Sequence, residues 1–154
     1  MIYLLTLVLK HATKSYTKPL CKTLKISMEN INKEIIIKKI KESETVLITT
    51  HNKLCLPIIN RIYKKMINGL KFDDIKVFDT LIIDGHHRYV SSLLANIKLD
   101  EAKSSKTSAT IEYDWMEVEF VEDEWDTEEK IKRLNELDAE FNNISIEKII
   151  EMTK

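Results

Sequence analysis

A chain of 154 residues, 44% hydrophobic and 32% charged, can bury one core of ordinary size and is too short for two comfortable domains. Its two glycines and two prolines disfavour a turn-rich β-sandwich and favour helices joined by short polar turns. The net charge of −1 conceals five lysines and no acid in residues 1–28, and ten carboxylates without Lys or Arg between Glu112 and Glu129, which speaks against a broad DNA-coating surface.

Residues 1–27 differ from the rest. The apolar run Ile2 to Leu9 has no positive charge before it, as a secretory signal would, and the basic, acid-free stretch that follows lacks the arginines of an organelle presequence. We expect a weakly ordered or non-native extension, with Met28 as an alternative start and residues 28–154 as the domain. Cys21 and Cys55 are isolated, without metal-ligand spacing, and suit reduced thiols in the cytoplasm. No apolar run reaches the roughly 18–20 residues that cross a bilayer, so no membrane association is expected.

From Asn30 to Glu44 the Ile- and Lys-rich pattern fits a helix better than a strand. Thr45 to Thr50 is short and β-branched, a buried strand. Leu56 to Leu70 is an amphipathic helix: Ile58, Ile59, Ile62, Tyr63, Met66 and Ile67 share one face, Pro57 suits the first turn and Gly69 the position past the end. Ile75–Phe78 and Leu81–Asp84 form a hairpin about Asp79-Thr80, and the second strand runs through Gly85 into a helix from His86 to Asn96. Lys98 to Ser108 reads as a loop and Thr110 to Val121 as one or two strands. Asp126 caps a helix whose buried stripe is Ile131, Leu134, Leu137 and Phe141, and Ser145 caps a last short helix. The expected fold is α/β (α+β): a small mixed sheet flanked by helices, with a C-terminal helical hairpin.

Chemistry concentrates at Asp84-Gly85-His86-His87-Arg88. A strand-to-helix turn presents free backbone N–H groups and the positive end of the helix dipole, a setting for an anion and most often a phosphate. Arg88 in the first helical turn opposes the dipole unless it binds that anion; its ordinary alternative is an ion pair with Asp84 four residues earlier. Asp84 either caps the helix or takes part in the site. His86 and His87 titrate near neutrality and suit acid–base or phosphate contacts, but neighbouring helical residues diverge by about 100°, so one should face the site and the other pack. Ser91 lies one turn on and either lines the pocket or permits close packing. His51 would join from the end of the preceding strand. Two adjacent imidazoles without Cys or a third His make poor zinc spacing.

This hexapeptide through Tyr89, preceded by a hairpin and followed by a helix, resembles the ParB/sulfiredoxin-like superfamily over Thr45 to Ile97, about a third of the chain. The resemblance implies that Gly85, His87, Arg88 and Ser91 hold the phosphates of a nucleotide (ATP, ADP or CTP) or of a phosphorylated small molecule. It further implies that Asp84, His86 and His87 are catalytic and that Asp84 places a metal. Mg²⁺ suits, because a carboxylate about 5 Å from a phosphate otherwise repels it by roughly a kcal/mol or more. Sulfiredoxins carry Cys at the position of His86, and partition CTPases carry Glu, so sulfinic-acid reduction and the CTPase pattern are disfavoured. The Asp-Gly-His-His-Arg form is closest to free-serine kinases and to ParB-like domains of bacterial toxins and phage genes. The implied activity is metal-assisted phosphoryl transfer or phosphodiester hydrolysis. Glu44 is the nearest position for a second catalytic acid. The alternatives are a non-catalytic ParB-type binding module of a mobile-element or DNA-maintenance system, and a toxin or antitoxin component docking a protein partner through acidic residues 112–129. Direct DNA contact is opposed by that acidity and by the lack of a helix-turn-helix after the motif.

Overall fold

The computed structural model describes residues 31–44 and 46–154, so the expectations for residues 1–27 and for Met28 lie outside it. The element order is α1 (Lys33–Glu42), β1 (Lys53–Cys55), α2 (Leu56–Ile67), β2 (Ile75–Phe78), β3 (Leu81–Asp84), α3 (His86–Ala95), β4 (Glu101–Lys103), β5 (Glu119–Val121), α4 (Glu128–Asn142) and α5 (Ile146–Thr153). The class is α/β, as expected, and α4 and α5 form the C-terminal hairpin. No helix among the described residues is long and apolar enough to cross a membrane.

Strand β2 is the centre of a three-stranded mixed sheet. It pairs antiparallel with β3, with Val77 opposite Ile82 and Phe78 opposite Leu81, and parallel with β4, with Ile75 opposite Glu101. The hairpin turns at Asp79, whose φ of +52° is the left-handed conformation that Asp tolerates better than most residues. β4 falls inside the stretch read as a loop, and the alternating stretch 110–121 supplies only β5, which pairs parallel with β1. Three-residue strands carry too little pattern to be separated from polar linkers.

The β-branched run at 45–50 also departs from expectation. Thr45 is outside the described residues, and Ile48 and Thr49 make only isolated bridges, to Leu81 and Tyr113. Side chains replace much of the missing ladder. The Leu47 N–H donates to Tyr89 Oη (3.2 Å), and the Leu47 carbonyl accepts from the Trp115 indole (2.7 Å). Tyr89 and Trp115 stack beside them at 5.9 Å.

Helix α1 starts at Asn32, whose side chain accepts from Ile35 N, and buries Ile36, Ile37 and Ile40. Helix α2 has Pro57 in its first turn and ends at Gly69 (φ +89°), where the Gly69 and Leu70 N–H groups reach the Met66 and Lys65 carbonyls. It buries Ile59, Tyr63 and Met66 and lies along α3. Helix α4 starts one residue later than Asp126 would place it. Thr127 is the cap, its Oγ1 accepting from Lys130 N, and Ser145 caps α5 as expected. The expected buried stripe of α4 is another correction: only Asn135 and Ala139 are buried, whereas Leu134, Leu137 and Phe141 are exposed. Ala139 packs with Leu70 and Ile149 in a small second core, which turns the larger apolar residues of α4 towards a cleft.

Trp115→Phe keeps the ring and removes the indole N–H, leaving the Leu47 carbonyl without that donor. The expected cost is about 1–3 kcal/mol, read as a lower urea midpoint at unchanged slope.

Candidate functional site

Strand β3 ends at Asp84, the chain turns at Gly85 with φ +93°, and α3 begins at His86. Only glycine fits this turn. A Cβ would lie 2.8 Å from Ile75 Cγ2 and 3.0 Å from Arg88 Nη2, besides the strain of the positive φ. No side chain caps α3, so Asp84 is not its cap. Instead, the half-exposed Asp84 carboxylate accepts from Arg88 Nη2 at 3.1 Å, while Arg88 Nη1 donates to the Asp73 carbonyl at 3.2 Å. The guanidinium therefore lies folded over Gly85, in the ion pair that i,i+4 spacing allows.

Both imidazoles of the motif are anchored. His86 is 2% exposed, and its Nε2 accepts from Thr50 N at 3.1 Å. His87 Nε2 accepts from Cys55 N at 3.0 Å. A ring nitrogen that accepts carries no proton, so both rings are neutral with hydrogen on Nδ1. The electrostatics agree. Burial, with His51 and His87 nearby, lowers the His86 pKa to about 3, while the Ile82 carbonyl pulls weakly the other way. Burial, then His51, lower the His87 pKa to about 4 against the opposing pull of Asp126. The expectation that one ring faces the site and the other packs is thus replaced by two rings that tie α3 to residues 50–55. The exposed ring of His51 stacks on His86 at 3.9 Å and joins the cluster.

Ser91 does not reach the site. It is fully buried, and its hydroxyl donates to the Ile59 (2.9 Å) and His87 (2.8 Å) carbonyls, so it serves the contact between α2 and α3. Glu44 is exposed and does not line the cleft.

The cleft, of about 840 Å³, lies between the motif turn, α2 and α4. One side carries Asp84 to Arg88 and His51; the other carries Leu134, Leu137, Phe141 and Phe72, with Trp125 edge-on to His87 at 6.0 Å. Most cations along it are paired. Arg61 meets Glu124 and Asp126, the latter at 2.6 Å; Lys130 lies 2.6 Å from Asp126, and Lys65 2.5 Å from Asp138. Sequence reasoning missed Arg61, Trp125, Asp126, Lys130 and Asn135. Arg61 sits on the polar face of α2, and Asp126 stands where a helix cap belongs, so each pattern already had an ordinary explanation. Part of the acidic run is likewise occupied within the chain, with Glu119 paired to Lys53 at 2.7 Å and Glu124 and Asp126 to Arg61.

At the motif turn the carboxylate available to a Mg²⁺ is that of Asp84, which would suit the ion only with phosphates and water completing its shell. Among the described residues no group of three or more His, Cys, Asp or Glu side chains could hold a metal ion, and Asp84 shares its carboxylate with Arg88. Comparison with protein-family models, with curated proteins and with solved structures returned no match.

The imidazoles set a pH dependence. Their folded pKa values of about 3 and about 4 lie below the ordinary 6.5, so the unfolded chain binds protons that the folded chain refuses. The stability they contribute is complete above pH 6.5 and is lost as pH falls towards 4, by up to about 1.4 kcal/mol per pH unit for each ring. Urea midpoints measured from pH 7 to pH 4 should fall, and the fall should be shallower in His86→Gln.

Proposed function

We propose that this chain is a nucleotide- or phosphate-binding domain of the ParB/sulfiredoxin-like kind, its ligand held in the cleft beside Asp84 to Arg88. One observation carries the reading: the uncapped N-terminus of α3 lines, at an obligatory glycine, a cleft whose α4 side carries Leu134, Leu137 and Phe141 among paired charges. Free N–H groups and the helix dipole attract an anion there. Arg88 exchanges an i,i+4 pair worth a few tenths of a kcal/mol for a bidentate phosphate contact. The volume suits a small organic ligand, whose remainder rests on the α4 side.

The reaction class in this reading is phosphoryl transfer or phosphodiester hydrolysis, with positioning and charge neutralisation as the contribution of the protein. Mg²⁺ belongs to it only as the counter-ion that a nucleotide brings with its phosphates. Asp84 and the exposed His51 ring are the acid–base groups open to the ligand. A second reading, a non-catalytic binding module, draws support from the motif imidazoles themselves, since both Nε2 lone pairs are spent on backbone N–H groups.

Calorimetry with ATP, ADP and CTP, with and without Mg²⁺, tests the binding. Wild type should bind at least one of them, and Arg88→Ala should weaken it by about tenfold or more. Absence of binding by wild type contradicts the proposal. Phosphate release or strand cleavage by the wild type favours the enzyme, and binding without turnover the module.

A further inference from the structure

Helix α4 keeps an apolar stripe open on the side it does not bury. At about 100° per residue, Leu134, Leu137 and Phe141 fall within an arc of about 60°, on the side of α4 away from the buried Asn135 and Ala139. They are 38%, 42% and 55% exposed, and their spacing of three and then four residues is that of a coiled-coil seam. Scattered exposed apolar residues are ordinary; a stripe of them over two turns marks a contact face. Lys130 continues the stripe one turn earlier. The charges beside it have an order. All three basic residues of α4, Lys130, Lys132 and Arg133, lie in its first half, and Glu136, Asp138 and Glu140 lie in its second. Arg133 and Glu140 stand along one edge of the stripe, both exposed. Arg133 reaches only Glu136, at 3.4 Å on the surface, and Glu140 is in no ion pair among the described residues.

We propose that this face takes a second copy of the chain, α4 packing antiparallel on α4 about a two-fold axis. Leu134 of one copy then meets the partner's Leu137, and Phe141 lies over the aliphatic stem of the partner's Lys130. Arg133 stands opposite the partner's Glu140, and the two-fold axis makes that attraction twice. The order of charges selects this occupant. A helix that runs basic and then acidic is complemented by itself reversed, whereas a partner of one charge sign would be repelled by one of the halves. A parallel pair would set Arg133 opposite Asp138, which Lys65 already holds at 2.5 Å, and would leave Glu140 without a cation. The contact covers two helical turns, so a weak dimer is expected, with a dissociation constant of about 10 µM to 1 mM. The inference stands apart from the phosphate reading. A ligand reaching the same side chains would compete with the second copy, so association is measured without one.

Sedimentation equilibrium of the full chain, from about 10 µM to about 1 mM, tests this. The average mass should rise from one chain towards two. Arg133→Glu and Glu140→Arg each put like charges into both contacts, and each alone should weaken association by about tenfold or more. An equimolar mixture of the two variants restores both attractions and should associate as wild type does, a rescue that unfolding or a different face would not produce. Both positions are exposed and both replacements suit a helix, so the thermal midpoints should stay close to wild type. Leu137→Gln, also at an exposed position, should abolish association and supplies the comparison if a charge variant folds poorly. A wild type that stays monomeric at about 1 mM overturns the proposal, whatever then covers the face. Association that Arg133→Glu, Glu140→Arg and Leu137→Gln leave unchanged overturns it too, as does failure of the mixture to restore it.

Discussion

Two backbone N–H groups, those of Thr50 and Cys55, end on the imidazoles of His86 and His87, and the geometry of the site depends on these bonds. Thr50 closes a segment held by isolated bridges, and Cys55 is the uncapped N-cap residue of α2. Each would otherwise leave a partly buried donor unsatisfied, at a cost of about 1–3 kcal/mol. By accepting both, the first turn of α3 fixes the start of α2 and the connection before it. Ser91, further along α3, repeats the device through the Ile59 carbonyl. The polar residues of the motif therefore build the fold as well as furnish the cleft. The rings must stay neutral, which burial ensures by holding both pKa values far below the ordinary histidine range.

Charge in the cleft is arranged in pairs. Arg88 with Asp84, Lys65 with Asp138, and Arg61 and Lys130 with Asp126 place cations along it without a large uncompensated field. Exposed members of such pairs contribute little to stability, so the Asp84–Arg88 pair opens at little cost. Asp126 differs, because its carboxylate is buried and joins α2 to the start of α4. That link fixes where α4 stands, and hence where its apolar residues face the motif turn.

Where periodicity was long, the architecture was legible. Leu56 to Leu70 had a full apolar face with Pro57 and Gly69 as end signals, and α2 follows; the hairpin about Asp79 and the Ser145 cap also appear. Gly85 was legible because a strand and a helix meet there. The rest failed for identifiable reasons. The run at 45–50 has strand composition, but Tyr89 and Trp115, distant in sequence, take over hydrogen bonds that a neighbouring strand would make. The stripe of α4 has helical spacing, and spacing does not say whether a partner covers it. Ser91 was ambiguous between pocket and packing, and packing across to α2 prevails. His86 and His87 stood out correctly as a pair, yet their tautomers depend on donors more than thirty positions away.

The most direct test is the protonation state of the two anchoring rings. Imidazole ¹⁵N chemical shifts at pH 7 should show His86 and His87 neutral, each with a bare Nε2 and a protonated Nδ1, and the pattern should persist to pH 5. Either ring found cationic at pH 7, or carrying its proton on Nε2, would contradict the account, because it could not then accept the Thr50 or Cys55 N–H on which the cleft is built.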